Sequence, residues 1–290
     1  MNMHHLRMGS GKPLLLIHGL GGSARSWSTI APALAERREV IAVDLPGFGA
    51  TPRLAGETSI RTLSDAVTAF LDAQGLRGID AVGSSMGARL VLELARRGGV
   101  LGSVVSLDPG GFWRGWERHA FLSSIWLSIR AVRLLQPVMP AISRSKVART
   151  MLLAQFSRRP WALDADVVLE EMRSFARAPA FDELLHRLAY GEEQEGAPRS
   201  SIDAPLVIGW GRNDKVCFPR QAKRAGALFP DARLHWFERC GHFPQWDAPQ
   251  ETVRLILDTS AGRVGASTVG TPLAQSAILG AGGGRPATSP

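Results

Sequence analysis

Uninterrupted apolar runs, separated by amphipathic stretches, set the rhythm of this chain. Leu14-Leu15-Leu16-Ile17 stops at His18-Gly19, and Val40-Ile41-Ala42-Val43 ends in Asp44-Leu45-Pro46-Gly47. Ile79 to Val82 enters Gly83-Ser84-Ser85-Met86-Gly87, and Val104-Val105-Ser106-Leu107 ends at Asp108-Pro109. Runs without polar alternation suit strands covered on both faces, as in parallel sheets. The stretches between them predict helices over Trp27–Arg37, Ile60–Gln74 and Met86–Arg97. In the third, Leu90, Val91, Leu94 and Ala95 recur near a helical period, while Arg89, Glu93, Arg96 and Arg97 are polar. Strands alternating with helices predict βαβ crossovers and a mostly parallel sheet flanked by helices. The rhythm resumes at Pro205-Leu206-Val207-Ile208, with a helix near Pro219–Leu228, a last strand over Arg233–Phe237 and a closing helix near Pro249–Leu257.

The middle of the chain breaks the pattern. Residues 112–199 hold helix-like patches without a buried strand, together with Trp113, Trp116, Trp126 and Trp161. This segment reads as a helical insertion between two parts of one sheet, so the expected core is 1–111 and 200–261. Residues 262–290 are rich in Gly, Ala, Ser, Thr and Pro, which predicts disorder, with a docking segment near Leu273–Leu279 as the alternative.

Composition narrows the class but not the chemistry. At 290 residues, with 45% apolar and 21% charged, the chain has the make-up of an ordinary globular protein. Its formal charge of +8 invites a polyanionic partner, yet only Lys12, Lys146, Lys215 and Lys223 are lysines, and no nucleic-acid-binding motif accompanies the arginines. No nucleic-acid partner is therefore expected. Cys217 and Cys240 have neither metal-ligand spacing nor a disulfide framework, so two free thiols are expected. Met1–Gly11 lacks the apolar stretch of a secretory signal, and no apolar run is long enough to span a bilayer. The expected location is the cytoplasm.

Candidate chemistry sits at the ends of the strands. Gly83-Ser84-Ser85-Met86-Gly87 is a G-x-S-x-G sequence after a buried strand and before a helix. A nucleophile on so sharp a turn needs small neighbours, and its Oγ projects above the sheet. The Met86 amide, at a helix N-terminus, can stabilise negative charge. Asp214 follows the strand ending in Ile208-Gly209-Trp210-Gly211, and His242 follows the last strand within Cys240-Gly241-His242-Phe243-Pro244. Each alone is an ordinary cap or loop residue. Together, in the order Ser, Asp, His, they predict a nucleophile, its orienting acid and its base. Asp108, also just past a strand, is the rival acid, although Asp108-Pro109-Gly110 equally suits a turn. His18 reads as a structural hydrogen-bonding residue and Asp44 as a turn residue.

These motifs resemble the α/β-hydrolase family. His18-Gly19-Leu20-Gly21-Gly22 is similar to its oxyanion loop and Asp44-Leu45-Pro46-Gly47-Phe48-Gly49 to its D-x-P-G-x-G turn; the elbow at Ser85 and the stretches around Asp214 and His242 match as well. The likeness covers Leu14–Pro109 and Pro205–Leu257. It implies the α/β-hydrolase fold with an inserted helical cap, and an oxyanion hole from the backbone N–H groups of Leu20 and Met86. Haloalkane dehalogenases and epoxide hydrolases of this fold carry Asp at the elbow, where this chain has Ser85. Carbon–carbon bond hydrolases of the family usually carry a Gly-Pro-Gly-like oxyanion loop, from which His18–Gly22 departs.

The expected activity is therefore hydrolysis of a small hydrophobic carboxylic ester or thioester through an acyl-enzyme on Ser85, with no metal or organic cofactor. Perhydrolysis or lyase chemistry with the same three residues is one alternative, and a ligand-binding receptor on a hydrolase frame is another. From Phe112 to Pro160 the insertion is basic, with Arg114, Arg118, Arg130, Arg133, Arg144, Lys146, Arg149, Arg158 and Arg159 against Glu117. The favoured reading is an amphipathic cap with solvated arginines; peripheral contact with an anionic lipid surface is the rival.

Overall fold

The pleat sorts the apolar runs onto two faces. Leu15, Ile17, Ile41 and Val43 join one buried cluster, whereas Leu14, Leu16, Val40 and Ala42 join a second on the opposite side. A computed structural model describes residues 2–262, and it places these runs in a seven-stranded sheet. The strands are β1 (His5–Met8), β2 (Pro13–Ile17), β3 (Glu39–Val43), β4 (Ile79–Ser84), β5 (Leu101–Leu107), β6 (Leu206–Gly211) and β7 (Arg233–Phe237). Their order is β1-β3-β2-β4-β5-β6-β7, with every neighbouring pair parallel except β1 and β3. This is the α/β-hydrolase fold expected from the sequence.

Helices cover both faces. The core helices are α1 (Ala31–Ala35), α2 (Ile60–Gln74) and α3 (Met86–Arg97). Five more, α4 (Trp116–Leu134), α5 (Met139–Arg144), α6 (Lys146–Leu153), α7 (Ala165–Arg177) and α8 (Phe181–Tyr190), fill the crossover from β5 to β6. The chain closes through α9 (Gln221–Leu228), α10 (Pro244–Asp247) and α11 (Pro249–Ser260). α2 and α3 contribute to the first buried cluster, and α1 and α11 to the second. The bounds of α2 follow local chemistry: Ser59 caps its first turn by accepting from the Thr62 amide, and Gly75 ends it at φ 65°.

Two local readings need correction. The helix expected over Trp27–Arg37 is instead a 3-10 turn, Ala24–Trp27, followed by the five-residue α1. Pro32 lies in the first turn of α1, where its missing N–H costs nothing, but a helix running through it from Trp27 would lose a hydrogen bond. The strand β1 was not expected, because an edge strand half open to solvent needs no apolar run. The readings for 263–290 lie outside the described residues.

β2 pairs with β3 on one side and β4 on the other, so successive connections leave it in opposite directions. At such a switch point, loops beyond the carboxyl ends of the strands part and leave a crevice. The helices α4–α8 lie over that crevice, tied to the core by buried polar contacts. The Ser26 hydroxyl donates to both carboxyl oxygens of Glu171 on α7, at 2.8 and 2.9 Å, and the Ser174 hydroxyl donates to the Gly21 carbonyl at 2.9 Å. At the other end, Asp247 of α10 accepts from the Ser157 hydroxyl at 2.5 Å and the Arg158 amide at 2.7 Å.

Burial pushes the Glu171 carboxyl up to about 7, opposed by the Ser26 hydrogen bond and reinforced by nearby Glu170. The folded chain thus keeps a proton that the unfolded chain releases near the ordinary glutamate value, and stability falls as pH rises from that value to about 7. A shift of this size corresponds to about 3 kcal/mol. Glu171→Gln removes that part of the pH dependence. Urea unfolding at pH 5 and pH 8 is expected to show a smaller loss of stability for the variant than for the parent; parallel losses would refute the assignment.

Candidate active site

The turn between β4 and α3 presents Ser85 at φ 56° and ψ −112°, a backbone conformation that L side chains rarely adopt. Such a residue costs on the order of 1–3 kcal/mol and persists only where its surroundings enforce it. Here the enforcement is steric. A Cβ on Gly83 would lie 2.1 Å from the Gly87 carbonyl oxygen, and one on Gly87 would lie 2.3 Å from that of Ile17. Two backbone segments therefore pass each other at distances only glycine permits, and Ser85 is thrust forward between them. Its amide donates to the Leu107 carbonyl at 2.9 Å, which ties the turn to β5.

The loop after β2 lies against this turn: a Cβ on Gly19 would sit 3.2 Å from that of Ser85. His18 holds the loop in shape. It is fully buried, its Nδ1 lies 2.7 Å from the Gly19 carbonyl, and its Nε2 accepts from the Leu45 amide at 3.1 Å. Nδ1 is then the donor, and burial lowers the affinity of the ring for a second proton, so His18 is a neutral strut. Leu20 and Met86 both line the cavity at Ser85, and among the described residues neither amide donates to a protein acceptor.

Three strand ends converge on one chain of hydrogen bonds. His242 Nε2 lies 2.8 Å from Ser85 Oγ, and its Nδ1 lies 2.8 Å from Asp214 Oδ2. The other oxygen of Asp214 accepts from the amides of Val216 at 2.7 Å and Cys217 at 3.0 Å, which fixes the carboxylate plane. Both His242 and Asp214 are buried. Nδ1–H donating to a carboxylate leaves Nε2 free to accept the serine proton.

Asp108, the rival acid, makes no hydrogen bond to the histidine, whose Nδ1 faces Asp214. It sits at φ 48°, accepts from the Gly211 amide at 2.8 Å through one oxygen, and has no hydrogen-bond partner on the other. Burial, reinforced by the charge of Asp214, pushes its carboxyl well above the usual range, which disfavours its charged form. Asp44 is indeed built into a turn, accepting from the amides of Ala24 and Ala50. The two cysteines are free and buried. Cys217, Asp214 and His242 bring ligand atoms within 4.8 Å of one another. Burial pushes the Cys217 thiol well up, however, away from the thiolate a metal prefers.

Sequence reasoning missed two supporting residues. Asp247 accepts from the Gly241 amide at 2.7 Å while also holding Ser157 and Arg158, so the loop bearing His242 and the segment between α6 and α7 share one carboxylate. The His242 amide itself donates to Phe156 at 2.8 Å. Gln245 donates to Ser84 Oγ at 3.1 Å, bridging the histidine loop and the elbow. The only signal in sequence was closeness to His242.

Beside Ser85 and His242 lies a cavity of about 240 Å³. Phe121, Ile125, Met172 and Phe175 are among the helical residues that wall it, and no Asp, Glu, Lys or Arg lines it.

Comparison with known proteins agrees with the fold. The profile described as Alpha/beta hydrolase family matches residues 14–255. A dihydrolipoyllysine-residue acetyltransferase component of the acetoin cleaving system from Pseudomonas putida is 30% identical over 85% of this chain, which spans 63% of that protein's length. A 2-hydroxy-6-oxononadienedioate/2-hydroxy-6-oxononatrienedioate hydrolase, also from Pseudomonas putida, is 26% identical over 89% of this chain and 91% of its own. Among solved structures, a meta-cleavage product hydrolase from Pseudomonas fluorescens superposes with a TM-score of 0.70, covering 90% of this chain and 95% of the other at 23% identity, a likeness of fold. The chain belongs to the alpha/beta hydrolase family.

Proposed function

We propose that the protein hydrolyses a neutral, hydrophobic carboxylic ester or thioester through an acyl-enzyme on Ser85. The observation that carries this reading is the hydrogen-bonded chain Asp214–His242–Ser85 opening into a cavity that, among the described residues, no Asp, Glu, Lys or Arg lines. His242 takes the proton from Ser85 Oγ as the oxygen attacks the substrate carbonyl, and Asp214 stabilises the imidazolium that results. The amides of Leu20 and Met86 are assigned to the oxyanion. The imidazolium then protonates the departing alcohol or thiol. Water, activated by His242, cleaves the acyl-serine, releases the acid and restores the serine proton.

Relatives that bear the names of dienedioate hydrolases favour a second reading, cleavage of a carbon–carbon bond. A dioate carries two carboxylates, and burying either one without a cation or donor costs far more than apolar contact returns. The cavity offers no lysine or arginine to receive one. Esters of p-nitrophenol with aliphatic acyl chains are expected to gain about fourfold in kcat/KM per added methylene until the cavity is full, at about 0.8 kcal/mol per methylene buried. They are also expected to exceed a dienedioate substrate by at least about 100-fold, given the cost of burying an unpaired carboxylate. A dienedioate turned over faster than any ester would overturn the proposal.

The acid assignment gives a second, independent expectation. Asp214→Asn is expected to lower kcat by about 10⁴, because the amide favours the wrong imidazole tautomer. Asp108→Asn is expected to keep kcat within about threefold, since an amide closely replaces a carboxyl that makes no hydrogen bond to His242 and whose charged form burial disfavours. The reverse ranking in steady-state ester hydrolysis would move the acid to Asp108.

A further inference from the structure

Five of the large apolar side chains that face solvent lie on two helices of the crossover, α4 and α6. Leu134 and Met151 are each 79% exposed, Val147 72%, Leu127 64% and Trp126 48%. All five lie on α4, α6 or the end of α4, and two of them, Leu127 on α4 and Met151 on α6, also line the cavity at Ser85. The mouth of the acyl cavity is therefore the slot between α4 and α6. Gln155 spans that slot, donating to Ser124 Oγ at 2.9 Å and accepting from Ser128 Oγ at 3.1 Å. An apolar patch that forms the rim of a substrate cavity is a surface built to be covered.

The charges around it select the cover. From Arg118 to Leu163 the chain holds eight Lys or Arg residues and no Asp or Glu. Arg133 is paired with Asp182, Arg118 with Glu193, and Arg149 is buried on the carbonyls of Ser143 and Trp161. Among the described residues, the side chains of Arg130, Arg144, Lys146, Arg158 and Arg159 make no ion pair with a carboxylate. Arg130 instead lies over the Trp126 ring, 5.0 Å from its centroid. Aromatic and aliphatic tips flanked by unpaired cations match the boundary of an anionic bilayer, where the former enter the acyl region and the latter meet the headgroups.

We propose that the α4–α6 face docks on an anionic lipid surface, so that a hydrophobic substrate enters the cavity from the membrane without crossing water. Docking is read without turnover, so its failure is distinguishable from failure of the ester-hydrolase reading.

Co-sedimentation of the full-length chain with phosphatidylglycerol vesicles and with phosphatidylcholine vesicles tests it. The chain is expected to pellet at least tenfold more strongly with phosphatidylglycerol and to be released by salt. Trp126→Asp/Val147→Asp and Arg130→Glu/Lys146→Glu are each expected to weaken that binding by an order of magnitude or more. Neither pair lines the cavity, so hydrolysis of a soluble short-chain ester is expected to be unchanged and reports that the variants are folded. Equal binding to both vesicles, binding unaffected by either pair, or no binding by a chain found monomeric or paired with a second copy across this face would overturn the proposal.

Discussion

The close approach of two backbones at the sheet's switch point is the constraint on which the site depends. Gly87, in the first turn of α3, rests on the carbonyl of Ile17 at the end of β2, and Gly83 passes Gly87 just as closely. Neither position has room for a Cβ. That contact drives the helix down onto the sheet, forces positive φ on Ser85 and aims its side chain at the crevice. The strain is local, and it is offset by the apolar burial of α3 through Leu90, Val91 and Leu94 in the main core cluster. Ser85 is thereby held rigidly, and the loops after β2, β6 and β7 only have to meet it.

Electrostatics then distinguishes residues of one chemical type. Asp214 and Asp108 are both buried past strand ends, yet Asp214 accepts two backbone amides and faces the imidazole. Asp108 receives one amide, and burial together with Asp214 itself pushes its carboxyl upward, against the charged form. A single negative charge is thus delivered to the right side of His242. His18 and His242 divide in the same way, since the former spends both ring nitrogens on backbone groups and the latter spends both on Asp214 and Ser85.

The core and the three converging residues were legible because their signals are local. A buried parallel strand is an apolar run, and a nucleophile at a strand–helix junction needs glycines at fixed spacing. The end of α2 at Gln74 and the start of α3 at Met86 follow from Gly75 and from the elbow, and the expected bounds agree with both. β1 and the break at Pro32 were missed because an edge strand needs little apolar surface and because a proline can start a helix as well as interrupt one. Asp247 was missed for a different reason. Its partners, Gly241, Ser157 and Arg158, are brought to it only by tertiary structure, from segments as much as ninety residues away. Likewise, the amphipathicity of the helical crossover was visible in sequence, but which apolar side chains stay exposed was not.

Fold, charge and cavity together describe a nucleophile held by backbone contact, oriented by one buried carboxylate and faced by apolar walls. The central claim is that Ser85 becomes covalently acylated during turnover. Mass spectrometry of the intact chain, acid-quenched within the first turnover of a p-nitrophenyl ester, tests it directly, with the modified peptide then located by fragmentation. The account predicts a mass gain of one acyl group confined to Ser85. Hydrolysis that proceeds with the adduct on another residue would contradict it.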